Sequence, residues 1–163
     1  MHQVLYYQSP IGVLKIKEEN NCIVGVHLLT ESEEISKTEV ESKCSPLLAK
    51  ACHQLTEYFA GKRTSFNLPI KFTTGTPFQH SVWNALREIP YGETRSYEDI
   101  AVAIGNPKAV RAIGQANHNN PVLLLVPCHR VINKNGSLGG FGCGVEVKKQ
   151  LLQLEGAKQR RIP

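Results

Sequence analysis

The stretch Pro127-Cys128-His129-Arg130-Val131-Ile132 is the part of the chain around which its other features are arranged. It follows an apolar run, residues 122–126, that is bounded by Pro121 and Pro127, and it precedes a glycine-dense loop, residues 136–144. A short apolar run between two prolines predicts a buried extended segment. The end of this segment therefore presents a thiol, an imidazole and a guanidinium at three successive positions.

The thiol of Cys128 allows two interpretations. A thiolate is the strongest nucleophile among the side chains, and a nearby imidazole or cation lowers the pKa of a thiol. Catalytic cysteine and histidine residues, however, usually meet in space rather than in sequence. The adjacency of Cys128 and His129 alone therefore favours an inert buried cysteine, and the rest of the chain must decide.

The composition of the 163 residues is that of an ordinary soluble globular protein, and the length suits one domain or two small ones. No apolar run reaches the roughly 20 residues that span a bilayer, and the first residues lack the apolar stretch of a signal peptide. Five cysteines without any CxxC spacing indicate reduced thiols rather than a disulfide framework. We therefore expect no membrane partner and a cytoplasmic protein, or a nuclear one in a eukaryote.

Charge is distributed unevenly along the chain. Residues 1–60 carry five Lys/Arg and eight Asp/Glu, whereas residues 61–163 carry fourteen and six. A basic C-terminal part joined to an acidic N-terminal part suggests that the later part meets a polyanion such as nucleic acid. Solvated surface charge explains the same counts equally well.

The N-terminal part has the pattern of a small sheet with one helix. Alternating apolar residues predict three strands in an antiparallel meander: residues 4–8, 12–17 and 23–29. Residues 31–43 are charged and serine-rich, which indicates a surface loop or an irregular helix. Ser45 is the predicted N-cap of a helix that Gly61 ends, and residues 68–72 suggest a short edge strand because Pro69 cannot donate to a central ladder.

From Thr76 onward the pattern changes to helices. Thr76-Pro77-Phe78-Gln79 and Ser96-Tyr97-Glu98-Asp99 are capping patterns, and each predicts a helix start. Gly105 ends the second of these helices, a third is predicted at about 107–117, and a last one at 145–155. Two short helices across a Gly-Asn-Pro turn are typical of a helix-turn-helix, although any two packed helices share this pattern. The residues predicted to face inward are Phe78, Val82, Ala85, Leu86 and Ile89, then Ile100, Ala103 and Ile104, then Val110, Ile113 and Gly114, and finally Val147, Leu151 and Leu154.

These elements predict an α+β fold in two domains. Residues 1–74 form a small α/β domain, an antiparallel sheet plus a helix. Residues 75–163 form a mostly helical, helix-turn-helix-like domain that contains the Cys128 motif.

The chain resembles the O6-alkylguanine-DNA alkyltransferases, which take an alkyl group from DNA onto their own cysteine. The resemblance is dense from Thr76 to Gly156, and Ser9-Pro10-Ile11-Gly12 anchors it before that. Its motifs are Pro127 to Ile132, Asn120-Pro121, Tyr91-Gly92-Glu93-Thr94 with Ser96-Tyr97, Gly105 to Gly114, and Lys148 to Gly156. The resemblance implies a ribonuclease H-like N-terminal domain and a winged helix-turn-helix C-terminal domain.

The resemblance also implies the chemistry. Glu155 would hydrogen-bond His129, which would draw the proton of Cys128 through a water molecule, so that the thiolate attacks the alkyl carbon in line. Asn120 would brace the turn that carries Cys128, and Tyr97 would donate a proton toward guanine N3. The thioether product is stable, so each molecule would react once, with O6-alkylguanine and, as a second candidate, O4-alkylthymine.

Base recognition follows from the same resemblance. The carbonyl groups of Cys128 and Val131 would accept from the exocyclic amine of guanine, and the N–H of Gly142 would point at O6. Tyr97 belongs to this pocket as well. Phe141 stands where many members have tyrosine and Cys143 where glycine is common, which puts the tolerance for bulky alkyl groups in doubt.

Contact with DNA is assigned to the second helix of the helix-turn-helix. The resemblance implies that Arg111 fills the space of a nucleotide flipped out through the minor groove. Ala109 and Ala112 would allow close approach to the sugar-phosphate backbone, and Ser96 and Gln115 are further expected contacts. The expected partner is double-stranded DNA containing O6-alkylguanine, bound by a monomer.

We expect no cofactor and no metal. Cys22 and His27 match half of a zinc site found in some family members, but the other ligands do not stand at matching positions, and His2 is a weak candidate. Two other classes of function remain open. A sequence-specific regulator would leave Cys128 as inert core, and a thiol hydrolase would need an oxyanion hole and turnover. A damage-binding protein without repair activity is disfavoured because such relatives lack the acceptor cysteine.

Overall fold

A computed structural model describes residues 2–29, 44–139, 141 and 144–156 of the chain. The chain divides into two compact units. The first comprises residues up to Thr73 together with residues 121–123, and the second comprises residues 74–120 and those from Leu124 onward. The predicted loop or irregular helix at residues 31–43 lies outside the described residues.

The first unit is built on an antiparallel sheet in the order β1-β2-β3, which confirms the predicted meander. The strands are β1, His2–Ser9; β2, Gly12–Glu19; and β3, Cys22–Leu28. Apolar residues alternate along β2, so Leu14 and Ile16 are fully buried on one face. Asn20 and Asn21 both adopt positive φ angles in the tight turn between β2 and β3, a conformation that asparagine tolerates better than most residues.

Helix α1, Pro46–Phe59, packs on β1 and β2 and begins where it was predicted. The hydroxyl of Ser45 accepts a hydrogen bond from the N–H of Leu48 at 3.0 Å and donates one to the buried carboxylate of Glu18 in β2. The N-cap residue therefore both starts the helix and joins it to the sheet.

The predicted edge strand at residues 68–72 is reduced to a single parallel bridge between Ile70 and Ile23. The N–H of Ile23 donates to the Pro69 carbonyl at 2.8 Å, and the N–H of Lys71 donates to the Ile23 carbonyl at 3.1 Å. Because Pro69 has no N–H to offer, the pairing does not extend along the chain.

The second unit is mostly helical. Its helices are α2, Pro77–Leu86; α3, Tyr97–Ala103; α4, Val110–His118; and α5, Val145–Leu154. Both predicted capping boxes are formed, Thr76 with Gln79 and Ser96 with Asp99. Helices α2, α3 and α4 pack against one another, and the buried indole of Trp83 donates to the Ala116 carbonyl at 2.8 Å, which ties α2 to α4.

The predicted start of α4 at residue 107 is wrong by three residues. Gly105 has a φ of 78°, and the N–H groups of Gly105 and Asn106 bond back to Val102 and Ala101, which is a Schellman ending for α3. The next residues form a turn in which the N–H of Ala109 bonds the Asn106 carbonyl at 3.0 Å. Pro107 therefore serves this turn rather than a first helical position.

Several predicted inward positions are also wrong, because the buried arc of each short helix is displaced by a residue or so. In α3 the buried pair is Ile100 and Ala101, and Ala103 is exposed. In α5 the buried residues are Lys148, Leu151 and Leu152, while Val147 and Leu154 are half-buried. In α2 and α4 the residues predicted inward that are only half-buried are Phe78, Ala85, Val110 and Gly114.

The apolar run at residues 122–126 is not the continuous extended segment that was predicted. Val122 forms a bridge with Val26, but Leu124 has a φ of 71° and starts a turn. A buried apolar run fixes burial but not backbone conformation, which explains the error. Among the described residues, no helix is long and apolar enough to cross a membrane.

Candidate active site

Two very short strands bring the motif around Cys128 next to the start of α3. Strand β4, Arg95–Ser96, pairs in parallel with β5, Val131–Ile132. Tyr97 follows β4 directly, and a 3₁₀ turn of Cys128–Arg130 precedes β5 directly. The pairing therefore holds the phenol of Tyr97 and the thiol of Cys128 in one region of the second unit.

Side-chain amides from the end of α4 brace the backbone around Cys128. The Nδ2 of Asn120 donates to the Val126 carbonyl at 2.8 Å, and the N–H of Cys128 donates to the same carbonyl at 2.8 Å. The Nδ2 of Asn117 donates to the Cys128 carbonyl at 3.3 Å, and the N–H of Val131 donates to it as well. Both amides are buried, so these bonds form where water does not compete.

His129 and Arg130 converge on one buried carboxylate at the end of α5. The Nε2 of His129 lies 2.7 Å from Oε2 of Glu155, and Arg130 donates to the two carboxylate oxygens from Nε at 2.8 Å and from Nη2 at 3.0 Å. Arg130 also donates from Nη1 to the Ile89 carbonyl at 2.7 Å and lies over the ring of Tyr91. A carboxylate held by a two-point arginine contact has its position and its charge fixed together.

The protonation state of this group follows from its surroundings. Burial opposes ionisation of Glu155, but the hydrogen bonds from His129 and Arg130 outweigh it and lower its pKa to about 2. Burial lowers the pKa of His129 despite the carboxylate beside it, so the imidazole is neutral at pH 7. Because an ionised carboxylate only accepts, Nε2 carries the single ring proton and Nδ1 carries the lone pair. No group among the described residues hydrogen-bonds Nδ1, which makes this atom a base.

Tyr97 and Lys148 lie on the other side of the same region. Tyr97 is half-buried, and burial together with the charge of Cys128 raises its pKa, so the phenol keeps its proton. Lys148 is fully buried, and its Nζ lies 5.8 Å from the centre of the Tyr97 ring and 5.9 Å from that of Phe141. The region thus holds a thiol, a neutral imidazole base, a phenol and a buried cation.

The outward face of α4 carries the residues predicted to contact DNA. Arg111, Ala112 and Gln115 are exposed there, and Ala109 is half-buried just before the helix. Ser96 is buried instead, and its hydroxyl accepts from the N–H of Asp99 at 3.0 Å as the N-cap of α3. The contact of Ser96 with DNA remains a prediction, and the hydroxyl that would make this contact already accepts the hydrogen bond that caps α3.

Known protein families match both units. The DNA binding domain of the 6-O-methylguanine DNA methyltransferases matches residues 77–157, and their ribonuclease-like domain matches residues 4–72. The constitutive methylated-DNA--protein-cysteine methyltransferase of Bacillus subtilis is 51% identical over 154 residues, which cover 91% of this chain and 92% of that protein. The chain belongs to the 6-O-methylguanine DNA methyltransferase family.

Solved structures of this methyltransferase family share the fold. The crystal structure of Mycobacterium tuberculosis O6-methylguanine methyltransferase matches with a TM-score of 0.84 and 41% identity over 100% of this chain and 96% of that one. The structure of Mycobacterium tuberculosis OGT in complex with DNA matches with a TM-score of 0.80 and 42% identity, over 94% and 92% of the two chains. These matches confirm the predicted α+β fold class and the predicted family.

The site of this methyltransferase family member contains two groups that sequence patterns did not point to. Asn117 donates to the Cys128 carbonyl, and the Nζ of Lys148 lies 5.8 and 5.9 Å from the centres of the Tyr97 and Phe141 rings. Lys148 stands seven residues before Glu155, two helical turns along α5, so the two residues share a helix face. This spacing of seven residues was the feature of the sequence that could have placed Lys148 on the same helix face as Glu155.

The remaining predicted site residues stand as follows. Val131 is fully buried and Phe141 is half-buried, while Gly142 and Cys143 lie outside the described residues. The Cys128 carbonyl already accepts from Asn117 and Val131, so its predicted bond to guanine remains a prediction. In the part of the chain that the structure describes, no group of three or more His, Cys, Asp or Glu side chains could hold a metal ion.

Proposed function

We propose that this protein repairs alkylated DNA directly, by moving the alkyl group from O6 of guanine onto Cys128. The observation that carries the proposal is the arrangement beside the thiol. Cys128 adjoins His129, whose Nε2 proton is held by ionised Glu155 at 2.7 Å, and this bond leaves Nδ1 as the base. Its membership of the methyltransferase family and the DNA complex of a relative 42% identical to it support the same function.

The reaction needs no substrate besides the alkylated DNA, because the thiol of the protein itself accepts the alkyl group. The proton of Cys128 passes to His129 through an intervening water, and the thiolate attacks the alkyl carbon. The bond from sulfur to carbon forms as the bond from carbon to O6 breaks, and the bonding electrons leave with the guanine. Tyr97 protonates guanine at N3, and the proton held by His129 restores the phenol through solvent. The products are S-alkylcysteine and guanine, and since a thioether carries no labile bond each molecule reacts once.

Each predicted site residue has a place in this scheme. Asn120 holds the turn before Cys128 through its bond to the Val126 carbonyl. Tyr97 suits a donor because its raised pKa keeps it protonated. We assign Val131 and Phe141 to the rest of the base pocket, and the resemblance adds Gly142 and Cys143, which lie outside the described residues. O4-alkylthymine has a comparable exocyclic oxygen-alkyl bond and is the second substrate to test.

Binding to duplex DNA is assigned to helix α4. A base inside the stack is out of reach of a buried thiol, so the nucleotide must leave the duplex. Exposed Arg111 takes its place from the minor groove, and Ala109, Ala112, Gln115 and the cap region of Ser96 approach the backbone. We assign these roles to residues 75–163 and a scaffolding role to residues 1–74, in a protein that acts as a cytoplasmic monomer, or a nuclear one in a eukaryote. The separate matches to residues 4–72 and 77–157 support this division.

The test is mass spectrometry of the protein after it is mixed with a duplex that contains one O6-methylguanine. We expect one added methyl group per molecule, located on the Cys128 peptide. The Cys128→Ala variant should gain no methyl group. Cys52→Ala is the matched control and should add one, because burial raises the pKa of the Cys52 thiol to about 11 and keeps it unreactive.

Other outcomes identify the other classes of function. An unmodified protein that binds the lesion more tightly than intact DNA is a damage sensor. An unmodified protein with no preference for the lesion is a regulator of the helix-turn-helix type, and the repair proposal is then wrong.

A further inference from the structure

Asn117 is a buried polar residue near the end of α4 to which the scheme above gives no role. The carbonyl of its neighbour Ala116 accepts from the indole of Trp83 at 2.8 Å, so this part of the helix is fixed within the second unit. The Oδ1 of Asn117 is buried and has no hydrogen-bond partner among the described residues. A buried amide with an unpaired oxygen is costly, and a leucine of similar size would avoid that cost. The amide therefore needs a reason beyond packing.

The side chain of Asn117 contacts the backbone of the reacting residue. Its Nδ2 donates to the Cys128 carbonyl at 3.3 Å. If the amide were turned over, Oδ1 would face this carbonyl, with one acceptor against another, so the hydrogen bond fixes the orientation of the amide. Asn117 is therefore held with its donor on the Cys128 carbonyl and its acceptor away from it.

This contact engages the second lone pair of the Cys128 carbonyl. A carbonyl oxygen has two lone pairs, and the N–H of Val131 already donates to this one at the end of the 3₁₀ turn. The Val126 carbonyl receives the same combination, one backbone N–H from Cys128 and one amide from Asn120, both at 2.8 Å. Because Cys128 is only 1% exposed, water does not compete for these bonds. The Cys128 carbonyl is thus saturated before any base binds.

A saturated carbonyl changes how the base is recognised. The resemblance described above assigns the 2-amino group of guanine to the Cys128 carbonyl. That group can donate there only if Asn117 gives up its bond, and the displaced Nδ2 would then be buried without an acceptor. The exchange gains almost nothing, so the amine adds little to the binding of the transition state. A base without the amine should lose equally little.

We propose that Asn117 sets the base specificity of alkyl transfer, by occupying the Cys128 carbonyl so that the 2-amino group of guanine is not read there. This role deepens the proposed function and rests on it. The substrate class of the site is then an O-alkylated base with or without a 2-amino group. O4-alkylthymine belongs to this class, because it has a carbonyl oxygen at the position that corresponds to the amine, and that oxygen would be repelled by a carbonyl with a free lone pair.

The experiment compares two lesions that differ in the amine alone, O6-methylguanine and O6-methylhypoxanthine. Each is placed opposite cytosine in a duplex of the same sequence, and the rate at which the Cys128 peptide gains a methyl group is measured by mass spectrometry. Asn117→Leu and Asn117→Met remove the donor and keep an apolar side chain of similar size. Asn119→Leu makes the same change at an exposed position two residues along and is the matched control. Thermal unfolding of each variant shows that it is folded.

The quantity compared is the guanine rate divided by the hypoxanthine rate. The cost of extruding each base from the duplex is the same for every variant, so a change in this ratio between proteins isolates the contact with the base. Asn117→Leu and Asn117→Met should raise the ratio about tenfold, because the freed lone pair accepts from the guanine amine and stays unpaired with hypoxanthine. Asn119→Leu should leave the ratio unchanged. On single strands, where no base pair has to open, the two rates of the wild type should agree within about threefold.

Two results overturn the proposal. If the variants at Asn117 slow transfer from both bases equally, the residue supports the structure of the site and does not affect specificity. If the wild type prefers guanine on single strands by about tenfold or more, the amine is read despite Asn117, and this result needs no variant to fold. Failure of the proposed function is distinguishable, since the Cys128 peptide would then gain no methyl group from either base.

Discussion

Replacing Glu155 by glutamine tests the centre of the site. The carboxylate of Glu155 accepts from His129 at 2.7 Å and from Arg130 at 2.8 and 3.0 Å, and none of its side chain is exposed. Glutamine has nearly the same shape as a protonated glutamate. The substitution therefore removes the negative charge and leaves the packing almost unchanged. The guanidinium of Arg130 then has no counter-ion at this position.

The size of the effect follows from the pKa of Glu155, which is lowered from an ordinary 4.5 to about 2. A depressed pKa contributes stability that is fully present above the unfolded-state value and is lost as the pH falls through the folded-state value. The shift corresponds to about 3 kcal/mol of unfolding free energy, which agrees with the cost of breaking a buried ion pair. Glu155→Gln should therefore cost about 3 kcal/mol at pH 7, and the difference from wild type should shrink between about pH 5 and about pH 2.

Urea unfolding followed by tryptophan fluorescence measures this difference. Trp83, the one tryptophan of the chain, is buried in the second unit with its indole bonded to Ala116, so its signal reports the unit that contains Glu155. Glu93→Gln is the matched control. Glu93 pairs with Arg95 at 3.1 Å on the surface, where an ion pair contributes at most about 1 kcal/mol.

Two results would refute the reasoning. A cost below about 1 kcal/mol at pH 7 would mean that the carboxylate is not held in its charged form by its partners. A cost of the expected size that stays constant down to about pH 2 would mean that it arises from packing rather than from charge.

Three further predictions concern single contacts. Asn120→Ala removes the 2.8 Å bond to the Val126 carbonyl, which then keeps only the bond from the N–H of Cys128, so it should cost about 1 kcal/mol in urea unfolding and slow methyl transfer in a rapid-quench assay. Arg111→Ala should slow methyl transfer from duplex DNA by about tenfold or more and leave iodoacetamide labelling of Cys128 unchanged, because the role proposed for this exposed side chain is on the DNA and not on the thiol. Thr76→Ala removes the cap that accepts from the N–H of Gln79, so it should cost about 1 kcal/mol in the same unfolding assay without changing the methyl-transfer rate.

Local signals in the sequence predicted the parts of the fold that local physics determines. The capping boxes at Thr76 and Ser96 fixed two helix starts to the residue, since side chain and backbone satisfy each other within four positions. The alternation along β2 fixed the buried face of the sheet. The start of α4 was predicted three residues too early, at residue 107. Proline is favoured both in a turn and at the first position of a helix, and tertiary packing determines which of the two forms at residues 106–109.

The site was harder to predict than the fold, because its geometry depends on pairings too short to leave a pattern. Strands β4 and β5 have two residues each, and no periodicity reveals them, yet they set Tyr97 beside the motif of Cys128. Lys148 was missed because a charged residue in an amphipathic helix is ordinarily assigned to the outer face. Resemblance to a family supplied the roles of Glu155 and Asn120, which composition and spacing could not.

The buried charges of the site balance only when Cys128 is a thiolate. Among the described residues, the buried ionisable side chains around the motif are Arg130 and Lys148, both positive, Glu155, which is negative, and His129, which is neutral. A neutral thiol leaves this group one positive charge in excess, the thiolate cancels that charge once its proton has left His129 for solvent, and a thioether restores the excess permanently. Alkylation of Cys128 should therefore destabilise the second unit, since an unmatched buried cation is costly. Urea unfolding of the methylated protein, followed by the fluorescence of Trp83, should show a lower midpoint than the unmodified protein, and the gap should narrow in Lys148→Gln, which lacks the surplus charge. A methylated protein as stable as the free one would show that the thiolate charge is not what balances the site.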